Sequence, residues 1–241
     1  MIRFLRPVPV LIAALLLFPG QVTAQSPDDW DVFIAPYFIG AVQNGDATLL
    51  GHPVEIDLTT SELLENLEFG AMGLLAAKKG NWGFGADAIW MALGVNVQDT
   101  EVDFNQGAFA FYGIRQLSPA ADLTFGLRVN TLQGEFTFNR LGGARVSDDQ
   151  TWVDPIAGLT LRTPAGRRTQ LRVYSEIGGF GLGSDLTWQI FPSFGINFGR
   201  HFSTEFGYRW LDIDYSTGEG NQQFVYDVLT QGPFLGFGFR F

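Results

Sequence analysis

The chain holds two histidines, His52 and His201, and no cysteine. Acid–base and nucleophilic catalysis near neutral pH most often draws on one of these side chains. His52 sits in Gly51-His52-Pro53 and His201 in Arg200-His201-Phe202, both turn-like stretches far apart in the chain. Asp212 and Asp214 supply a carboxylate pair, yet a spacing of two is also what any polar strand end shows. Phosphate loops, dinucleotide fingerprints, C-x-x-C and H-E-x-x-H motifs are absent. No catalytic residue, metal site or cofactor is expected, and the chain is not expected to be an enzyme.

More telling are single charges set at alternate positions of apolar sequence. In residues 122–130, Leu123, Phe125, Leu127 and Val129 alternate with Thr124, Gly126, Arg128 and Asn130. That is the period of a strand with one apolar and one polar face. By the same parity Asp87, Arg128, Glu176 and Arg209 share an inner face at mid-height, two acids and two bases. Lys78, Arg115, Arg162, Arg172 and Arg240 gather toward one end of that face, with Glu205 as the acid among them. Inward charges in a narrow space are costly unless paired, so the mid-height four are expected to form an ion-pair network. The functional alternative is that they line a small pore with a positive inner mouth.

Positioning such an inner face requires strands. Ten are expected, at residues 30–43, 67–79, 82–98, 102–116, 122–130, 153–161, 169–183, 186–198, 204–215 and 225–241. Their connections alternate between tight turns (Gly80-Asn81, Ser118-Pro119-Ala120, Pro164-Ala165-Gly166, Arg200-His201-Phe202) and mostly longer polar loops. An even strand count with short turns at one end and longer loops at the other describes a transmembrane antiparallel up-and-down β-barrel, both termini periplasmic. The polar face is Gly, Thr, Asn, Tyr and single charges rather than the Lys, Glu and Ser of a wetted surface, which suits a filled lumen. Trp82 and Trp90 share the apolar face, and eight residues rise about 26 Å, or about 20 Å of height at a tilt of about 40°. That is close to the spacing of about 25 Å between the aromatic girdles of membrane barrels. Pro36, Pro155, Pro192 and Pro233 fall inside these strands on the apolar parity, and β-bulges are expected to accommodate them.

The ends agree. Arg3 and Arg6 precede an apolar run over residues 8–18, and Val22-Thr23-Ala24 resembles a signal-peptidase site, so residues 1–24 are expected to be a secretory leader. Residues 25–241 then form one barrel domain. Two of the 15 basic side chains fall in the leader, leaving 13 against 25 acids, a net charge of −12. Nucleic acid is not an expected partner for such a chain. Lys78, Lys79, Arg167, Arg168 and Arg200 cluster at the tight turns, and Asp46, Glu55, Asp57, Glu62, Glu65, Asp99, Glu101, Asp148, Asp149, Asp185, Asp214 and Glu219 at the loop end. Basic turns suit an anionic leaflet, while acidic loops are either plain solvated loops or share divalent cations with lipopolysaccharide. Outer-membrane lipid and lipopolysaccharide are therefore the expected surroundings. The first loop reads as a small hairpin around Gly51-His52-Pro53, followed by the capping box Thr59-Thr60-Ser61-Glu62 and a helical turn. It is expected as a stable loop, or as a cap over the barrel mouth.

Across nearly the whole mature chain, APYFIGAVQNG, LLENLEFGAMG, GNWGFGADAIWM, DPIAGLTLR, IGGFGLGSDLTWQ, FGYRWLDIDY and GPFLGFGFRF resemble a family of small proteobacterial outer-membrane β-barrel proteins. Glu176 stands before IGGF where that likeness leads one to expect Asp. The resemblance implies the outer membrane and a structural or narrow small-solute channel role, and it brings no catalytic residue. Surface binding through the acidic loops is the alternative, and a lipid-modifying enzyme a third.

Leu235, Phe237, Phe239 and Phe241 form an apolar row that ends on the last residue. A terminal aromatic of this kind resembles the signal read by the barrel-assembly machinery. Deleting Phe241 is expected to leave little heat-modifiable, folded protein in outer-membrane fractions. Normal abundance of the folded truncation contradicts this.

Overall fold

The computed structural model describes residues 29–49, 52–97, 100–138, 144–219 and 223–241; the expected leader lies outside them. The elements in order are β1 (Asp31–Ile39), β2 (Val42–Leu49), β3 (His52–Leu58), α1 (Thr60–Glu65), β4 (Leu67–Lys79), β5 (Trp82–Val97) and β6 (Thr100–Ser118). Then follow β7 (Ala121–Phe138), β8 (Ala144–Pro164), β9 (Thr169–Gly178), β10 (Leu186–Phe198), β11 (Phe202–Thr217) and β12 (Phe224–Arg240). Each of β4 to β11 pairs antiparallel with the next, β1 pairs with β4, and β1 also pairs with β12. Counting β1 and β2 as one stave, the sheet is a closed ten-stranded β-barrel.

The closing stave is built in two pieces. β1 covers the end of β12 from Phe33↔Arg240 to Ile39↔Phe234, and β2 continues along it from Val42↔Gln231 to Ala47↔Tyr226. A single strand was expected over residues 30–43. The chain instead steps at Gly40-Ala41, where a Cβ on Gly232 would stand 2.1 Å from the Gly40 carbonyl oxygen. Phe241 extends the seam beyond β12, donating its N–H to the Val32 carbonyl at 2.9 Å. The expected hairpin is present as β2 and β3, and it is part of the wall rather than a loop above it.

Strand lengths differ from expectation on one side of the barrel. β7 and β8 run well past residues 130 and 153 because they pair with each other from Ala121↔Leu161 to Phe138↔Ala144. β9, expected to reach residue 183, stops at Gly178, where residues 179, 181 and Phe180 all turn to positive φ.

The four prolines are not accommodated by bulges. Register shifts occur at Leu67/Phe69 and Gln116/Ser118, away from these four. Across Pro36 the pairing passes from Ile34↔Phe239 to Tyr37↔Gly236, and across Pro192 from Ile190↔Trp210 to Ser193↔Gly207, three residues on each strand. Pro155 lies one residue outside the β8–β9 ladder, which begins at Ile156↔Gly178. Pro233 lies where β12 changes partner from β1 to β2. Each missing N–H thus falls at a gap or an end of a ladder, so no extra residue is needed.

Inside, the barrel is layered. Ile39, Ala41, Ile89, Met91, Leu93, Phe191 and Phe234 form one apolar cluster, which reaches from the loop side down to Phe191 and Phe234, and Leu132, Trp152, Leu211, Ile213, Tyr226 and Val228 are among the residues of a second at the loop end. α1 contributes Leu63 to the first, buried to 6% exposure. The helix starts as expected: Thr59 accepts from the Glu62 N–H, and the Glu62 carboxylate accepts from the Thr59 N–H at 2.8 Å. That backbone N–H, and then the Thr59 hydroxyl, hold the Glu62 carboxyl below its usual pKa. A depressed carboxyl stabilises above its unfolded pKa, so the cap holds at neutral pH and weakens as pH falls through the depressed value.

Truncating the inserted leucine tests whether α1 seals the interior. Leu63→Ala is expected to cost about 2–5 kcal/mol, as for other buried leucines, read as a lower urea midpoint with unchanged β-sheet signal. No shift would show that α1 rests on the barrel without filling it.

Candidate functional site

Two layers of charge lie below the apolar clusters. In the upper layer, strand alternation brings Arg128 of β7, Glu176 of β9, Arg209 of β11 and Asp87 of β5 to the inner face. They divide into two ion pairs, Arg128 with Glu176 and Arg209 with Asp87 at 2.9 Å. Arg128 is 1% exposed and also donates to the Thr187 hydroxyl at 3.3 Å. Glu176 accepts from Tyr174 at 2.5 Å. Arg209 spreads three donors over Asp87, the Tyr37 hydroxyl at 3.0 Å and the Gln189 side-chain carbonyl at 2.9 Å, while Tyr37 donates to Asp87 at 2.6 Å. A guanidinium aimed at several fixed acceptors is the geometry that offsets burial of its charge.

Asp154, on the inner face of β8, is fully buried and was not among the expected charges. It accepts from Asn130 at 2.7 Å, from the Ser184 N–H at 2.6 Å and from the Ser184 hydroxyl at 2.9 Å. Its strand period was visible, but nothing in the sequence showed that residue 184 folds back to meet it.

The lower layer lies toward the tight turns. Lys78 reaches Asp122 at 3.1 Å and Arg162 binds the same carboxylate. Arg172 pairs with Glu205 at 2.7 Å and Arg240 with Asp31 at 3.2 Å. Glu205 is therefore not the sole acid at this level, as the sequence reading had it: Asp122 and Asp31 join it. Asp122 shares the inward parity assigned to Arg128, and Asp31 takes the parity opposite to Pro36 on the apolar face, so the signal was present. Arg115 is a second correction. It pairs across the ladder with Trp82, and its guanidinium lies 4.5 Å from the centre of that exposed ring. Ile114 and Gln116 take the inner positions on β6, so Arg115 stands on the outer face and the lumen mouth loses one base.

Between these layers lies a cavity of about 530 Å³. Its lining runs from the turn residues Gly80, Pro119 and Arg200 up to Asp87, Glu176 and Arg209. Phe191 and Phe234 are part of its lining, the rest of the apolar clusters lie above it, and a second cavity, beside Asn130 and Tyr226, holds about 20 Å³, room for about one water.

The histidines do not meet. His52 opens β3, and His201 lies in the turn before β11 with Nδ1 2.9 Å from the Arg240 carbonyl oxygen. Asp212 and Asp214 alternate with the inward Leu211 and Ile213, on the outer face of β11. Among the described residues, no three His, Cys, Asp or Glu side chains are placed to hold a metal ion.

What fold and site define is a closed antiparallel barrel with paired charges in its interior. No protein-family model matches the chain, and no curated protein matches it. Among solved structures it is similar to the attachment invasion locus protein Ail of Yersinia pestis, at 12% identity and a TM-score of 0.44, over 89% of this chain and 99% of that one. It is also similar to the translocator domain of the autotransporter NalP from Neisseria meningitidis, at 16% identity and 0.38, over 88% of each. A Pseudomonas aeruginosa FadL homologue follows at 7% identity and 0.36, over 88% of this chain and 89% of that one. All three scores lie below 0.5 and carry no weight for activity.

Glu176→Gln separates a dry network from a wet one. Leaving Arg128 buried without its partner is expected to cost about 3–5 kcal/mol, seen as a marked fall in urea midpoint. Replacing both partners with apolar residues is expected to cost less than the single change. Equal midpoints for wild type and Glu176→Gln would mean that water screens the pair.

Proposed function

We propose that the chain is an outer-membrane β-barrel protein whose lumen is sealed, acting as a structural wall element that displays folded hairpins at the cell surface. The outer face supports the membrane: Ile34, Phe84, Phe111, Leu123, Phe125, Leu127, Leu171, Phe206, Leu235, Phe237 and Phe239 are all substantially exposed. An apolar surface this continuous does not persist in water, and here the charges are inside. Hydrocarbon is the solvent that fits both faces, and a closed ladder is what hydrocarbon demands of strands. Basic tight turns support a periplasmic position for that end and both termini, against an anionic leaflet. Loops and the β6–β8 extension then face lipopolysaccharide, and the Leu235 to Phe241 row serves the barrel-assembly machinery.

One observation carries the sealed lumen: Ile89, Met91 and Leu93 follow Asp87 along β5 toward the loop end and, packed with Leu63 of α1, close the barrel above the Arg209–Asp87 pair. The cavity at the periplasmic end favours a second reading, a narrow channel for small solutes that opens only if these side chains move.

Purified protein in planar bilayers distinguishes the two readings. No steady conductance is expected from the wild type. A stable open level that survives repurification contradicts the sealed lumen and supports the channel.

A further inference from the structure

The β9–β10 connection, residues 179–185, is short, carries Asp185 as its one charge at the β10 end, and is held in a conformation that free chain would avoid. Gly179, Phe180 and Gly181 all take positive φ, at 84°, 54° and 72°. For a phenylalanine this region is unusual and costly, and glycine would enter it freely. The loop is nonetheless locked. Leu182 N–H donates to the Gly179 carbonyl and Gly181 N–H to the Ser184 carbonyl, both at 3.0 Å. Ser184 is clamped by the buried Asp154 carboxylate through its N–H and its hydroxyl, and Trp152 donates to that same hydroxyl at 2.9 Å. A Cβ on Gly183 would lie 2.3 Å from the Val153 carbonyl oxygen, so the loop lies flat on the edge that β8 leaves bare once β9 has ended.

All this rigidity presents two apolar side chains outward. Phe180 is 55% exposed and Leu182 is 81% exposed. Neither fills the barrel, so their display does not serve the core. Their surroundings identify what covers them. Ile177 just below and Val153 beside them belong to the exposed apolar outer face, which therefore continues onto the loop. The ten residues of β9 rise about 33 Å along the strand, or about 25 Å of height at a tilt of about 40°, the height of a barrel's apolar band. The loop thus sits at the outer boundary of the hydrocarbon, where neighbouring β8 continues upward.

We propose that residues 179–184 form a lipid anchor, with Phe180 and Leu182 inserted among the acyl chains of the outer leaflet at the lowest point of the barrel rim. Asp154 is a positioning residue for this anchor: it holds Ser184 and so fixes the direction of both side chains. The proposal rests on the membrane reading above.

Because the chain has no cysteine, single nitroxide labels report cleanly. Phe180→Cys and Leu182→Cys are labelled in folded full-length barrels in phosphatidylcholine vesicles, with Ile177→Cys as the wall reference and Arg200→Cys as the water reference. Oxygen and a water-soluble nickel chelate compete as relaxers. The anchor requires an oxygen-to-nickel ratio at 180 and 182 that matches position 177 and exceeds position 200 several-fold. Nickel-favoured labels at 180 and 182 with a lipid-like 177 overturn the anchor and leave the membrane reading standing. Shielding from both relaxers overturns it too, by showing a second copy or another protein over the loop. A nickel-favoured 177 removes the membrane reading itself. Asp154→Asn adds a positioning readout: sharper, more mobile spectra at 182 are expected, and unchanged spectra reject the clamp.

Discussion

Everything in this molecule depends on the backbone ladder closing on itself. A strand edge in hydrocarbon leaves N–H and C=O groups with no partner, at several kcal/mol each. Closure here falls to β12, which pairs with β11 along its full length and with β1 and then β2 on its other side. The two-piece stave follows from that demand. β1 also serves β4, but only as far as Pro36↔Gly73. Beyond that point the chain steps at Gly40-Ala41, β2 stays with β12, and α1 fills the space toward β4 with Leu63.

Closure sets the side-chain problem. Ten staves enclose a space only somewhat wider than eight, which side chains alone can fill. The interior solves this in layers, with ion pairs toward the tight turns and apolar side chains toward the loops. Charges in the middle are tolerable because each guanidinium meets a carboxylate and at least one hydroxyl or amide besides. The same pairing that makes them tolerable makes them poor pore lining, since an ion passing between Arg209 and Asp87 would have to part them.

Period two made the wall and its inward charges legible in the sequence. Asp87, Arg128, Glu176 and Arg209 needed only alternation, and the tight turns fixed their common level. Arg115 failed because β6 carries an irregularity at Gln116/Ser118, so parity counted from the turn is off by one there. Prolines misled for a different reason: sequence shows that an N–H is missing, not which neighbour would have received it. Strand ends were least visible. β7 and β8 continue beyond the barrel because they pair with each other, which no local pattern encodes. β9 stops early because Asp154 on β8 captures Ser184, a contact between residues thirty apart in sequence.

The closed seam is the central claim, and a cross-link across it is the most direct measurement. Ile34 and Phe239 are register partners on β1 and β12, and the chain contains no other thiol to confuse the result. With cysteines at both positions, mild oxidation of the folded barrel should give an intramolecular disulfide in high yield. The pair Ile34 and Phe237, two residues out of register, should give little. Cross-linking only between molecules, or equal yields for the two pairs, would contradict a barrel closed by β1 and β12.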